Sequence, residues 1–278
     1  MSFFNQLLDN LAREFDEQNS VSNYALEMLE HFLNALESGE IRTAQKIAKI
    51  WQVDGRVKKA ILLAFRWGQT EKIDCGSLSF IDKANLWPRS FNLEDKVRIV
   101  PGSSTVRRGA YIGPQVTLMS PSYVNIGAFV GAGSMIDSHA LVGSCAQVGE
   151  QVHVSAGVQI GGVLEPIGAV PVIIEDNCLI GGNCGIYEGS QVGEGAVLGA
   201  GLILTSSTKV FDLVNEKIIS AGNENSLKIP PLAVVIPGAR ALGGEFAQAH
   251  GLSVSAPIII KYRDAKTEQK IRLEDLLR

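Results

Sequence analysis

Residues 106–142 read VRRGAYIGPQVTLMSPSYVNIGAFVGAGSMIDSHALV. Every sixth residue from Val106 is aliphatic: Val106, Ile112, Leu118, Val124, Val130, Ile136 and Val142. The frame runs on through Val148, Val154 and Ile160, breaks, and resumes as Ile174, Ile180, Ile186, Val192, Leu198, Leu204 and Val210. An amphipathic helix repeats near 3.6 residues and a strand near 2, so a strict period of six belongs to neither. The residue four beyond the aliphatic is mostly small, as at Ala110, Ser122, Ala128, Ser134, Ala140, Ala146, Cys178, Cys184, Ser190 and Ala196. Gly often follows the aliphatic directly, as at Gly113, Gly131, Gly143, Gly149, Gly181, Gly193 and Gly199. Hexads of this kind build a parallel β-helix, with one short strand and one turn per hexad. Three hexads close a triangular coil of about 18 residues, and each inward aliphatic stacks on its equivalents in the coils above and below. Val106, Val124, Val142 and Ile160 are therefore predicted to form one internal ladder. Open sheet edges remain only at the two ends of such a stack.

On the N-terminal side, residues 1–100 read as a helical domain. Phe4, Leu7, Leu8, Leu11 and Phe15 fall on one helical face, and Leu26, Leu29, Leu33 and Leu36 on another before Ser38-Gly39 stops that helix. VKKAILLAFRW groups Val57, Ala60, Ile61 and Ala64 on a third, with Lys58 and Lys59 facing out. Trp87-Pro88 begins a connection that ends in RIVPG. Beyond Val210 the hexads fade. FDLVNEKIISAG reads as a hairpin with Asn215 in its turn, PPLAVVIPG and APIIIKYRD as short strands, and IRLEDLLR as a closing amphipathic helix. The expected chain is mainly β: a helical domain over 1–100, a β-helix over 101–222, and a small C-terminal α/β tail over 223–278. Fourteen residues separate Ile160 from Ile174 where 12 would keep register, so GGVLEPIGAVPVI (161–173) is predicted to bulge from a corner, carrying Glu165. Loops thrown out of a solenoid often form its binding face.

The chain has 278 residues, enough for two or three units in tandem. Apolar residues make up 46% and charged residues 19%, which describes a globular protein with ample core. A net charge of −4 without a basic stripe argues against nucleic-acid or membrane-surface partners. MSFFNQLLDNLAREF lacks the basic and apolar regions of a signal peptide, and no apolar run is long enough to span a membrane, so a cytoplasmic location is expected. The four cysteines show no CxxC, and Cys178 and Cys184 fall in the small-residue slot, which reads as core packing.

A β-helix is a scaffold that does not by itself name a function. Enzymes with this repeat include coenzyme A-dependent acyltransferases and zinc carbonic anhydrases, and others of the fold are non-catalytic rods. Asp137 follows Ile136 in the slot usually held by Gly, so its carboxylate projects from a rigid edge between Met119 and Ser155 of the neighbouring coils. It is read either as a solvated corner acid or as a reactive group. His139 lies beside it and is the alternative base. His153 reads as structural or substrate-lining. A zinc site needs three converging ligands, and only two histidines lie in the coils, so no metal is expected. Arg107, Arg108 and Lys209 are candidates for coenzyme A phosphates, with solvated corner cations as the plain alternative.

VKKAILLAFRW, RIVPG, SPSYVNIGAFVGAGSMID, LVGSCAQVGEQVHVSAGVQIGGVLEP, IIEDNCLIGG, and DAKT with the terminal LLR together resemble the tetrahydrodipicolinate N-succinyltransferases of lysine and diaminopimelate biosynthesis. The resemblance covers nearly the whole chain. It implies a homotrimer of left-handed β-helices with sites between adjacent subunits. It also implies tetrahydrodipicolinate and succinyl-coenzyme A as small-molecule substrates, with no bound cofactor. Carried over by motif, Arg98 of RIVP matches a dicarboxylate-binding position, and Asp137 of SMID the catalytic, substrate-binding one. One departure stands out: the family's second acid falls at Gly185, with Glu188 three residues on. Either Asp137 serves alone or another acid such as Glu165 substitutes. Two alternatives stay open: a hexapeptide N-acyltransferase with another acyl donor or amine, and a non-catalytic β-helical interaction protein.

Overall fold

Each aliphatic of the hexad frame is the second residue of a two-residue strand, from Thr105–Val106 to Ile203–Leu204. The strands stack in parallel into three faces of a left-handed β-helix in the computed structural model, which describes residues 3–17, 21–76, 78–222 and 226–264. The first face holds Arg98–Ile99, Thr117–Leu118, Met135–Ile136, His153–Val154, Leu179–Ile180, Val197–Leu198 and Ala233–Ile236. The second runs from Thr105–Val106 through Leu141–Val142 and Gly185–Ile186 to Ile203–Leu204. The third runs from Tyr111–Ile112 through Gln147–Val148 to Lys228–Ile229. The predicted ladder is present: Val106 pairs with Val124, Val142 with Val124 and Ile160, and Ile186 with Ile160 and Leu204. These six side chains are buried, with no more than 3% exposure. Full burial of each aliphatic contributes roughly 1.5–3 kcal/mol, so the stack is held by repetition of one modest term.

Three helices sit against the corner between the second and third faces. They are α1 (Phe3–Glu17), α2 (Asn23–Glu37) and α3 (Gly55–Trp67), where the sequence placed helical faces. Ser22 caps α2 by accepting from the Ala25 N–H at 3.1 Å, and Asp54 caps α3 by accepting from the Arg56 N–H at 3.0 Å. Leu11, Leu29, Phe32, Leu33 and Ile61 form a second core that takes in Ile126 and Cys145 from the coil corner. Gly127, at φ +73°, lets this approach happen, because a Cβ there would stand 2.7 Å from Ile61 Cδ1. Buried polar groups complete the seam. Thr43 donates to the Cys145 carbonyl at 2.9 Å, and Gln147 donates to Thr43 at 2.8 Å and accepts from Arg42 at 3.0 Å. Arg42 lies 3.5 Å from the centre of the Phe129 ring, itself stacked on Tyr111. Burial draws its pKa down to about 10, against the opposing pull of Asp176 and Tyr111.

Several boundaries differ from the sequence reading. Residues 1–100 are not helical throughout. Two hairpins interrupt them, Ala44–Ile47 with Ile50–Val53 and Thr70–Cys75 with Leu78–Lys83. The first turns through Ala48 and Lys49 at positive φ, so no Gly or Asn announces it. The first coil opens at Arg98–Ile99, seven residues before Val106. Stacking also continues past 222, where Lys228–Ile229 extends the third face and Ala233–Ile236 the first. Gln191–Val192 is followed on its face by Lys228–Ile229 because the chain first leaves for the hairpin Val210–Asp212/Lys217–Ile219, with Asn215 in its turn as expected. Ile258–Tyr262 closes against Ala233–Ile236, and a short α4 (Glu245–Ala249) lies between the two. The predicted helix IRLEDLLR lies outside the described residues.

The bulge has a simpler origin than a lost register. Ile160 and Ile174 occupy neighbouring faces, joined elsewhere by six residues, and Ile174 still pairs with Val148. A single corner has therefore gained eight residues, and no strand is skipped. The loop docks on the helices: Lys58 of α3 is buried and donates to the Ala169 carbonyl at 2.6 Å, and Leu164 packs on the helical core. This corrects the outward-facing assignment of Lys58.

Candidate active site

Asp137 stands at the corner between the first and second faces of the third coil. Its strand is bonded on both sides: the Asp137 N–H donates to the Val154 carbonyl at 2.9 Å, and the Met119 N–H to the Ile136 carbonyl at 2.8 Å. Asp137 Oδ1 accepts the Ser138 N–H at 2.6 Å, which fixes the carboxylate, while Oδ2 has no hydrogen-bond partner among the described residues. The group is half-buried. It is a rigidly mounted acceptor with one oxygen open to a ligand, the arrangement a proton-accepting or orienting carboxylate needs.

Arg98 points outward from the first face, in register with Thr117, Met135 and His153 on successive coils. It is exposed, and no described residue pairs with it. Two strand spacings, about 10 Å of backbone, separate its coil from that of Asp137. The two share one side of the solenoid without touching. His153 lies on the same face one coil above Met135 and is half-buried. His139 occupies the corner just after Asp137 at φ +62°, exposed, with its N–H bonded to the Pro121 carbonyl.

The other acids lie elsewhere. Glu165 and Glu188 line one cleft of about 800 Å3 between the 161–170 loop and the coils, together with Tyr187 and Ser206. Asp137 and Arg98 are not part of its lining. Glu188, at φ +52°, accepts the Ser206 N–H at 3.0 Å, and its contacts with Ser206 lower its pKa. The structure thus brings Glu165 and Glu188 together and leaves both apart from Asp137.

Of the candidates for coenzyme A phosphates, Arg107 is already engaged. It pairs with Asp82 at 2.7 Å and lies 5.1 Å from the Phe65 ring centre, in the seam with the helical domain. Arg108 pairs with Glu30 at 2.6 Å. Lys209 is exposed, with no partner among the described residues. Burial raises the Cys145 and Cys178 thiols to about 12, which keeps them protonated and fits their packing role. Among the described residues, no group of three or more His, Cys, Asp or Glu side chains is arranged to hold a metal, and no helix is long and apolar enough to cross a membrane.

Sequence reasoning missed Tyr187. Its ring lies over Gly185, and a Cβ at Gly185 would stand 2.5 Å from Tyr187 Cε2 and 2.8 Å from its hydroxyl oxygen. The strand is Gly185–Ile186 and Tyr187 follows it, so no pattern of the repeat announces the contact.

Comparison with known proteins adds a lineage to this geometry. The family description "Tetrahydrodipicolinate N-succinyltransferase N-terminal" matches residues 7–67, and "Hexapeptide repeat of succinyl-transferase" matches residues 171–206. A 2,3,4,5-tetrahydropyridine-2,6-dicarboxylate N-succinyltransferase from Idiomarina loihiensis is 43% identical over 258 residues, 91% of this chain and 89% of its own. Proteins of the same name from Acinetobacter baylyi and Shewanella oneidensis are each 42% identical over segments of 106 and 103 residues. Those segments span 37% and 36% of this chain, and only 38% and 37% of the relatives' own length.

Proposed function

The chain belongs to the 2,3,4,5-tetrahydropyridine-2,6-dicarboxylate N-succinyltransferase family, and on that premise we propose that it moves a succinyl group from succinyl-coenzyme A to tetrahydrodipicolinate. The product is N-succinyl-2-amino-6-oxopimelate, which places the reaction in lysine and diaminopimelate synthesis. The observation that carries this reading is the near full-length match to the Idiomarina protein, on a solenoid that carries Asp137 at a rigid corner in a slot often held by Gly. The acceptor is a cyclic imine with two carboxylates, and hydration makes its nitrogen an amine-like nucleophile. Arg98 offers a planar fork for one carboxylate. Asp137 orients the nitrogen and accepts its proton through Oδ2 as the nitrogen attacks the thioester carbonyl. The tetrahedral intermediate then collapses, and the coenzyme A thiolate leaves; the N-acyl carbinolamine opens by cleavage of its ring C–N bond, its hydroxyl proton passing to the amide nitrogen and its carbon becoming the 6-oxo group. Such proton-accepting assistance is worth roughly 10²–10⁴-fold.

Succinyl-coenzyme A is a co-substrate in this reading, and Lys209 is the candidate still free to meet its phosphates. Arg107 stays with Asp82. The Asp137 corner is open on one chain, so we place the working site between copies in a homotrimer, in the cytoplasm. A thiol-release assay tests the reading directly. Free coenzyme A should appear when tetrahydrodipicolinate and succinyl-coenzyme A are both present, and more slowly with acetyl-coenzyme A. Equal rates with and without the acceptor would refute an N-acyltransferase. Light scattering that shows a fully active monomer at micromolar concentration would remove the trimer.

A further inference from the structure

Asp137 is one level of a column. The residue after each first-face strand takes the same place on successive coils, giving Met119, Asp137, Ser155 and Gly181. Their order is fixed by the pairing of Ile136 with Leu118 and Val154, and of Val154 with Ile180. Asp137 and Ser155 therefore stand one strand spacing apart, about 4.8 Å of backbone. Ladder bonds occupy the N–H groups of this column. Asp137 donates to the Val154 carbonyl, Ser155 to Ile180 and Gly181 to Leu198, at 2.9, 3.0 and 2.8 Å. The Ser138 N–H is held by Asp137 Oδ1. Ser155 is half-buried, and its hydroxyl has no hydrogen-bond partner among the described residues. Gly181 carries no side chain, so nothing from the column overhangs that hydroxyl. Met119, on the other side of Asp137, offers no donor. The column thus sets one uncommitted side-chain donor directly beside the Asp137 carboxylate. Direction matters as well: Arg98 lies two coils below Asp137, and Ser155 one coil above. An acceptor held between Arg98 and Asp137 fills the lower side. The thioester that its nitrogen attacks then approaches from the side left free, over Ser155.

We propose that the Ser155 hydroxyl is a catalytic donor that holds the thioester carbonyl oxygen as negative charge develops on it. The proposal rests on the succinyltransferase reading above. The nitrogen lone pair forms the new C–N bond, and the carbonyl π pair moves onto oxygen. Ser155 donates its hydrogen bond to that oxygen while Asp137 Oδ2 takes the proton from nitrogen. Collapse restores the C=O bond and breaks the C–S bond, and the electron pair leaves on sulfur. Ser155 keeps its own proton throughout. A donor that engages the oxygen chiefly once it is charged lowers the barrier without tightening the ground state.

The test compares wild type, Ser155→Ala and Ser155→Gly, the last matching the level above at Gly181. Three readouts are taken: thiol-release kinetics with both substrates, calorimetric binding of tetrahydrodipicolinate alone, and the pH–rate profile. Each variant should lose about 10²-fold in kcat, the usual effect of removing one such donor. Acceptor Kd and both KM values should stay close to wild type, with an unchanged circular dichroism spectrum. The acid limb of the pH–rate profile should keep its midpoint, because Asp137 is untouched. A Ser155 that only shapes the corner would disturb Asp137, and so move that midpoint or the acceptor Kd. Near wild-type kcat in either folded variant would overturn the proposal. A raised acceptor Kd with normal kcat would overturn it too, since the hydroxyl would then bind the ground state. If the wild type neither binds the dicarboxylate nor releases thiol with it, the succinyltransferase reading fails, and this proposal fails with it. A normal wild type beside a silent Ser155→Ala defeats only the proposal.

Discussion

The corner that carries Asp137 and the corner that carries Glu165 belong to adjacent coils, yet they offer a ligand opposite things. At Asp137 the hexad is unbroken, the backbone is bonded above and below, and one carboxylate oxygen faces outward from an open edge. At Glu165 eight extra residues leave the coil, dock on the helical domain through Lys58, and enclose a cleft with Tyr187 and Glu188. Concavity alone would choose the second corner, as a default for binding sites. The residue that departs from the repeat in a regular coil selects the first. The single chain's cleft thus marks where the repeat was interrupted, while the corner in the unbroken coil stays open.

The largest effect should come from breaking what both corners share. Val142→Asp places a charge in the internal ladder, where Val142 has no exposure. An unpaired buried charge costs several kcal/mol against a total stability of about 5–15 kcal/mol, so the variant should not fold. Recovery of a soluble protein with the wild-type circular dichroism spectrum would mean the ladder does not hold the fold.

Next in size is Arg98→Lys, which separates the two corners by their ligand. Lysine keeps the charge but loses the paired hydrogen bonds to a carboxylate. KM for the dicarboxylate should rise about tenfold, with that for succinyl-coenzyme A unchanged. An unchanged acceptor KM would take Arg98 out of the site.

The smallest effect concerns the hairpin that docks on the third face. Burial alone would raise the Glu175 pKa, but hydrogen bonds from Lys46, Trp51 and the Glu194 N–H together hold it below the ordinary 4.5. A carboxylate with a depressed folded pKa stabilises fully above its unfolded value, and that stability is lost as pH falls through the folded one. Glu175→Gln should therefore lower the melting temperature by a few degrees at pH 7, and this gap should narrow below about pH 4. A gap independent of pH would mean the carboxylate's charge contributes nothing.

The contrast between the corners also tracks what the sequence could express. The inward ladder was legible because each aliphatic is set by a local period, and all of Val106 to Leu204 point inward as read. The helices α1 to α3 followed from their apolar faces for the same reason. The hairpin at Ala44–Val53 was hidden because Ala48 and Lys49 adopt positive φ without a residue type that favours it. The return of Lys228–Ile229 to the third face was hidden by the excursion before it, which hides the spacing from Val192. Lys58 looked solvent-facing from its helical position, and only the path of a distant loop buries it. Among the candidate residues, Asp137 was legible because it stands in a slot where Gly is the usual occupant. The cover that Tyr187 places over Gly185 was not, because it is a choice of side-chain rotamer rather than of position. The pairing of Arg107 was hidden in the same way, since Asp82 comes to it from a hairpin that no pattern announced.

The most direct test sets the two corners against each other in one assay. Turnover with succinyl-coenzyme A and tetrahydrodipicolinate is measured for Asp137→Asn and for the double variant Glu165→Gln/Glu188→Gln, both checked for wild-type melting behaviour. The Asp137 account predicts that Asp137→Asn loses about 10²-fold or more in kcat while it keeps most acceptor affinity, because Asn holds the shape but cannot take the proton. It predicts near wild-type turnover for the double variant. Near-normal turnover in Asp137→Asn, with loss in the double variant, would contradict it and move the chemistry to the cleft.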